Sequence, residues 1–257
     1  MMSGRIIICI VLSVIGILTG SPELYAQGFF GPPQGYSREG KGLYTAIGYL
    51  FIRDRWKDDH PYLMKEKIVY SEAGYGFSQG VEIYGRLGFT DGTFCGPIGY
   101  KNSTISTNDL KSDDRFLGTI GLRWSHGVNK SLRWGIFIQG SYFFNDGADE
   151  ISGLSASGIP FNTEVRIKDE WQVKAGIGLQ VKMTDGMRIY GGPYLYRGEG
   201  RVTTSPPLTF IGEKIKSGFA IGAYGGIVFP LYRRFQLTTE GWYTENFSMG
   251  TMITYSY

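Results

Sequence analysis

"RFLGTIGLRW", Arg115 to Trp124, puts Phe116, Gly118, Ile120, Leu122 and Trp124 on one side of an extended chain and Thr119, Gly121 and Arg123 on the other. An amphipathic helix would repeat its apolar positions every 3.6 residues. Here they recur every second residue, the period of a strand. The alternation returns in "FQLTTEGWY", where Phe235, Leu237, Thr239, Gly241 and Tyr243 oppose Gln236, Thr238, Glu240 and Trp242. It returns again in "EVRIKDEWQVKAGIGLQVK". There the odd positions Val165, Ile167, Trp171, Val173, Ala175, Ile177, Leu179 and Val181 are apolar, against Arg166, Lys168, Glu170, Gln172, Lys174 and Lys182. Asp169 breaks the apolar face. Either the strand projects beyond its apolar surroundings at that point, or the register slips there.

The same template over the whole chain marks ten segments: 43–53, 65–77, 81–90, 114–125, 133–144, 164–182, 187–199, 214–229, 234–244 and 247–257. Each is long enough to cross a bilayer as a tilted strand, which needs about 9–11 residues. The connections alternate in length. "DRWKDDHPYLM", 91–113, 145–163 and 200–213 are long; "SQG", "HGVNKSL", "MTDG" and "PLYR" are short. Only the connection at Glu245 and Asn246 breaks the alternation. An even strand count with long and short connections at opposite ends is the signature of a transmembrane antiparallel up-and-down β-barrel. The expected fold is therefore all-β, with ten strands, eight or twelve being the neighbouring counts.

The N-terminus supports export. Arg5 precedes the apolar run Ile6 to Leu18, and "ELYA" offers cleavage after Ala26, the layout of a signal peptide. The run is short for a membrane-spanning helix, and no basic cluster follows it. The expected organisation is a signal peptide at 1–26, a periplasmic segment at 27–42 and a barrel at 43–257. Of the two cysteines, Cys9 leaves with the signal, so Cys95 has no partner for an internal disulfide. A net charge of +3 without a basic run excludes nucleic acid as the expected partner. The 39 glycines and 15% aromatics suit crowded β-structure with close strand contacts.

One face of the strands carries Leu43, Ile47, Tyr49 and Phe51, then Val69, Tyr75 and Phe77, then Ile83, Leu87 and Phe89. Aromatics gather near the strand ends, as interfacial girdles do. The other face carries Glu72, Glu82, Arg86, Arg123, Lys174, Arg188, Lys216 and Glu240. A soluble sandwich would show the same two faces with the apolar one inside; the signal peptide, the loop asymmetry and the C-terminus favour lipid outside and a polar lumen inside. Eight-stranded barrels are filled by side chains, whereas 16–18-stranded ones leave a channel. Ten strands thus point to a plugged lumen, with Glu82 meeting Arg86 and Arg123 and Glu240 meeting Arg188 and Lys216. A narrow pore for small or apolar solutes is the alternative.

Sites of chemistry are few. "KDDHPY" brings Asp58, Asp59 and His60 together at the first long connection, a carboxylate and imidazole set suited to acid–base work. Strand number and this stretch resemble the omptin proteases, ten-stranded barrels with Asp/His chemistry at the outer rim, which implies a rim hydrolase. No second cluster completes that family's paired arrangement, and a solvated loop explains the stretch equally well. Ser125 and His126 are adjacent in a strand and so point to opposite faces. The loop acids lack calcium-loop spacing, and neither a metal nor another cofactor is expected. Leu154, Phe161, Leu208 and Phe210 place apolar side chains in long connections, as candidates for contact with an unidentified extracellular ligand.

The chain closes on "TMITYSY". Phe247, Met249, Thr251, Ile253, Tyr255 and Tyr257 share a face that resembles the C-terminal assembly signal of outer-membrane barrels. With the strand pattern, it makes the chain similar to the small outer-membrane β-barrel proteins of Gram-negative bacteria, the opacity-type and porin-like surface barrels. The resemblance covers nearly all of the mature chain. It implies insertion into the outer-membrane bilayer by the barrel-assembly machinery, and no single activity, since the architecture hosts adhesins, enzymes, narrow channels and structural proteins. The expected role is non-enzymatic, structural or surface-interacting through long extracellular loops.

Overall fold

The computed structural model describes residues 41–57, 61–77, 80–95, 110–154, 160–183, 186–205, 213–244 and 246–257. The expected signal peptide and nearly all of the segment 27–42 lie outside them. The strands are β1 (Gly42–Lys57), β2 (Pro61–Gly76), β3 (Val81–Cys95), β4 (Leu110–Gly127), β5 (Leu132–Phe143), β6 (Gly147–Leu154), β7 (Pro160–Lys182), β8 (Arg188–Ser205), β9 (Glu213–Tyr232), β10 (Phe235–Tyr243) and β11 (Phe247–Ser256). Ten of them close into an antiparallel ring in chain order, and β6 is extra to it. The last strand pairs with the first from Tyr44 opposite Ser256 to Phe51 opposite Met249, and Tyr257 N–H donates to the Leu43 carbonyl at 3.0 Å. Closure leaves the apolar terminal strand without an open edge, the usual template for aggregation.

Alternation sorts the side chains inside out relative to a soluble sheet. On β1 the even residues Tyr44, Ala46, Leu50 and Ile52 are buried, and Leu43, Ile47 and Tyr49 face outward. Two aromatic belts bound the apolar exterior. At the turn end, Tyr75 packs on Phe77, Trp124 on Trp134, and Phe235 on Tyr255. At the loop end, Phe116 packs between Phe89 and Phe144, and Tyr142 against Phe144. Trp124 and Phe116 lie eight residues apart on β4. At the usual rise and tilt this separates the belts by roughly 20 Å, close to the apolar band of a transmembrane barrel. Beyond the loop-end belt the exterior turns charged within two residues: Arg53 after Phe51, Lys67 before Val69, Asp91 after Phe89 and Arg197 after Leu195.

The strands do not stop at that belt, which corrects the expected long loops. β1 and β2 stay paired to Lys57 opposite Pro61, so the first connection shrinks to 58–60. The expected loop 145–163 is largely strand. β6 resumes the direction of β5 after a break at 144–146 and pairs with the upper part of β7 from Gly147 opposite Ile167 to Leu154 opposite Pro160. Backbone ladders continue above the lipid because their hydrogen bonds do not depend on apolar alternation. The short connection at 244–246 also has a place. The β10–β11 hairpin ends near the belt, and above it β1 meets β9 at Lys57 opposite Lys216. Ser248 Oγ accepts from Arg53 N–H at 2.9 Å and donates to the Arg53 carbonyl at 3.2 Å, satisfying the β1 backbone where β11 leaves it.

Both alternatives for Asp169 hold at once. It lies above the belt, at φ 51, where the pairing of β7 with β8 shifts register between Lys168 and Trp171. This bulge flips the faces. Below it the even residues Glu170, Gln172 and Lys174 are buried; above it the odd residues Val165 and Ile167 are, and Arg166 is exposed.

Candidate functional site: the polar lumen

The lumen is built from aromatic side chains laid over glycines directly opposite them on the neighbouring strand. Tyr70 faces Gly48 and Tyr44 faces Gly74 across β1 and β2; Tyr84 faces Gly121; Tyr190 and Tyr194 face Gly226 and Gly222; Phe137 faces Gly176. A Cβ at Gly74 would stand 2.4 Å from the Tyr44 ring, and one at Gly121 2.2 Å from that of Tyr84. The ring thus occupies the volume a side chain would take. Rings also meet across the lumen: Phe137 on β5 packs edge-on against Tyr224 on β9, centroids 5.6 Å apart.

Ion pairs fill the space between the rings. Glu72 lies opposite Arg86 and Glu82 opposite Arg123, so strand register alone brings each acid to a base. Arg86 Nε donates to Glu72, and Arg123 Nη1 donates to Glu82 at 2.8 Å. Arg123 also reaches the Tyr44 hydroxyl at 3.2 Å and Glu72 at 3.5 Å, with its guanidinium 3.9 Å from the Tyr84 ring centroid. Tyr44 donates to Glu72 at 2.7 Å, and Tyr84 to Gln139 at 2.8 Å. All of these residues are buried, and the cluster is neutral in formal charge.

A second cluster, nearer the loop end, was not singled out from the sequence. Arg115, fully buried, donates to Glu66 at 2.6 Å and Glu170 at 2.5 Å and lies 4.4 Å from the Phe143 ring centroid. The signal was available, since Glu66 shares the parity of Glu72 and Arg115 that of Arg123. Lys174 stands near the Tyr196 ring, 5.5 Å from its centroid. A cavity of about 30 Å³, bounded by Arg86, Gln139, Gln172 and Lys174 among others, lies in this part of the lumen. It is the size of one water.

Of the remaining candidates, Glu240 accepts the hydroxyl hydrogen of Tyr190, and Arg188 donates to Gln236. Lys216 is described only through its backbone, which pairs with Glu199. Asp58, Asp59, His60, Leu208 and Phe210 lie outside the described residues, and Leu154 and Phe161 are described only as backbone at the β6–β7 tip. Ser125 faces inward and His126 outward. Phe247, Ile253, Tyr255 and Tyr257 share the exterior of β11, with Tyr255 packed edge-on against Tyr257 at 4.9 Å. At the turn end the lumen opens into a cavity of about 330 Å³ lined by Lys130, Ser131, Arg133, Gln180, Lys182, Gly186, Arg188, Pro230 and Gln236.

No family model matches the sequence, and no curated protein is significantly similar to it. Among solved structures, the translocator domain of the autotransporter NalP from Neisseria meningitidis is similar, with a TM-score of 0.52 at 11% identity over 85% of this chain and 89% of that one. The transport unit of the autotransporter AIDA-I from Escherichia coli gives 0.48 at 12% identity over 84% and 90%. The Ralstonia pickettii toluene transporter TbuX gives 0.42 at 8% over 84% and 89%. Likeness at such identity concerns the fold alone.

Proposed function

We propose that this chain, which has the fold of a small outer-membrane β-barrel, is a non-enzymatic barrel with a closed lumen that acts at the cell surface of a Gram-negative bacterium. The observation that carries the reading is the lumen itself: buried ion pairs and aromatic–glycine pairs occupy the space a solute would need. Fixed charges in such a site are held in opposite-sign contacts rather than left to conduct. The turns and both termini then face the periplasm, and the loop end faces outward. The terminal face from Phe247 to Tyr257 serves as the signal read by the barrel-assembly machinery. On the outer side the working surface is the strand wall above the loop-end belt, whose exposed Lys67, Lys111, Arg166 and Arg201 alternate with Asp91 and Asp169. A wall of paired strands presents its side chains at fixed spacing, and such preorganisation lowers the ordering cost of protein or glycan contact.

Planar-bilayer recording of the purified, folded protein tests the reading. The expected result is insertion, seen as a heat-dependent gel shift, without unitary conductance. Reproducible conductance steps would overturn the closed lumen in favour of the narrow pore.

A further inference from the structure

The turn-end cavity differs in charge from the lumen above it. Among the described residues its lining contributes Lys130, Arg133, Lys182 and Arg188 and no carboxylate. Deeper in the lumen, the register sets Glu72 against Arg86 and Glu82 against Arg123. At the cavity it sets Lys182 directly against Arg188. Like charges in opposed positions of a sheet repel, and an anion bound between them offsets that repulsion. The Nε–H of Arg133, opposite Gln180 in the register, is shielded from solvent and has no acceptor among the described residues. Arg133 and Arg188 are half-buried against the low-dielectric wall, which concentrates their field at the mouth, and Lys130 and Lys182 are exposed at the rim.

We infer that this vestibule is a binding site for a compact multivalent oxyanion of the phosphate class. Arg133 and Arg188 supply planar donor forks that match phosphoryl oxygens, and Lys130 and Lys182 supply point charges at the rim. A volume of about 330 Å³ admits a small phosphorylated molecule and excludes a folded partner. The lining residues face the lumen, so the ligand arrives from solution rather than as part of the surrounding bilayer. The inference is independent of whether the lumen above conducts.

Titration calorimetry of inorganic pyrophosphate into folded protein in a zwitterionic detergent tests it, with citrate as the carboxylate comparison. Saturable pyrophosphate binding is expected. The Arg133→Gln/Arg188→Gln and Lys130→Gln/Lys182→Gln variants are each expected to weaken it by about tenfold or more, the loss of one charge-assisted contact or better. Lys67→Gln/Lys111→Gln, at the loop end, is expected to leave it unchanged. The heat-dependent gel shift establishes folding for each variant. The lysine pair, on the rim, carries the test should the arginine pair fail to fold. Absence of saturable binding up to about 10 mM, well into the weak millimolar range, overturns the site. Equal affinity in the vestibule variants does the same, and citrate binding as tightly as pyrophosphate overturns the phosphate class.

Discussion

Replacing Arg123 with Met tests whether the central ion pairs hold the barrel together. Met keeps most of the aliphatic stem and so limits the cavity left behind, but it removes the guanidinium that lies 3.9 Å from the Tyr84 ring centroid. What disappears is the 2.8 Å contact with Glu82, together with the longer contacts to Tyr44 at 3.2 Å and Glu72 at 3.5 Å. Glu72 retains Arg86 and the Tyr44 hydroxyl, so the larger loss falls on Glu82, whose 2.8 Å ion pair is removed. Removing one partner of a buried pair costs about 3–5 kcal/mol, much of it the penalty of a stranded charge. With a urea slope of about 2 kcal/mol/M, the unfolding midpoint falls by about 2 M. The Glu82→Gln/Arg123→Met double variant strands no charge and recovers about 2 kcal/mol of that loss, a coupling within the range for contacting residues. Urea unfolding in lipid vesicles, followed by tryptophan fluorescence and by gel mobility, supplies both numbers. Equal midpoints for the single and double variants would refute the reasoning, since the Glu82 charge would then have no energetic stake in Arg123.

Two further outcomes follow from the geometry. Gly74→Val places a side chain within 2.4 Å of the Tyr44 ring and displaces that ring from Glu72, lowering the unfolding midpoint by about 1–3 kcal/mol equivalent; adding Tyr44→Ala to Gly74→Val is expected to restore part of it, and no restoration would argue against the aromatic–glycine pair as the unit of packing. Deleting Tyr257 removes one backbone donor to Leu43 and one ring contact with Tyr255; folding into vesicles is expected to change by about 1 kcal/mol or less, while the heat-shifted form in the outer-membrane fraction of cells falls severalfold. Unimpaired insertion in cells would set aside the role of Tyr257 in assembly.

The ten barrel strands were legible because lipid on one side and a packed lumen on the other impose strict contrast at every second residue. That contrast ends at the aromatic belts. Above the loop-end belt Arg53, Lys67 and Asp91 face outward and the contrast fades, so 54–57, 61–64 and 91–95 read as loop although the ladders of β1, β2 and β3 run on through them. β6 went unseen for the same reason. The bulge at Asp169 was visible as a charge out of phase, but a single residue in the left-handed region cannot be distinguished in sequence from a strand that merely outgrows the membrane. Lumen charges were legible by parity and their partners only in part: Glu82 meets Arg123 as expected, whereas Arg86 pairs with Glu72. Parity says which residues share the interior, while register decides that Arg86 meets Glu72, and register waits on turn geometry that composition does not specify.

The manner of filling also bears on what the lumen can do. No separate segment among the described residues occupies it; the strands' own side chains do, and several contacts join strands that are not neighbours. Arg123 on β4 reaches Tyr44 on β1, Arg115 on β4 reaches Glu170 on β7, and Phe137 on β5 meets Tyr224 on β9. Arg115 braces the ring near the loop end, while Arg123 and Phe137 lie directly opposite each other in the register of β4 and β5 and reach to different strands. A plug formed by a discrete segment can swing out as a unit, because its internal contacts survive the motion. A plug distributed over the wall has no such unit. Opening it would mean breaking buried ion pairs at two levels, at about 3–5 kcal/mol for each stranded charge, while the rings over Gly74 and Gly121 still narrow the path. That arithmetic supports the proposed closed lumen, with the projecting strand wall and the basic vestibule as the proposed contact surfaces.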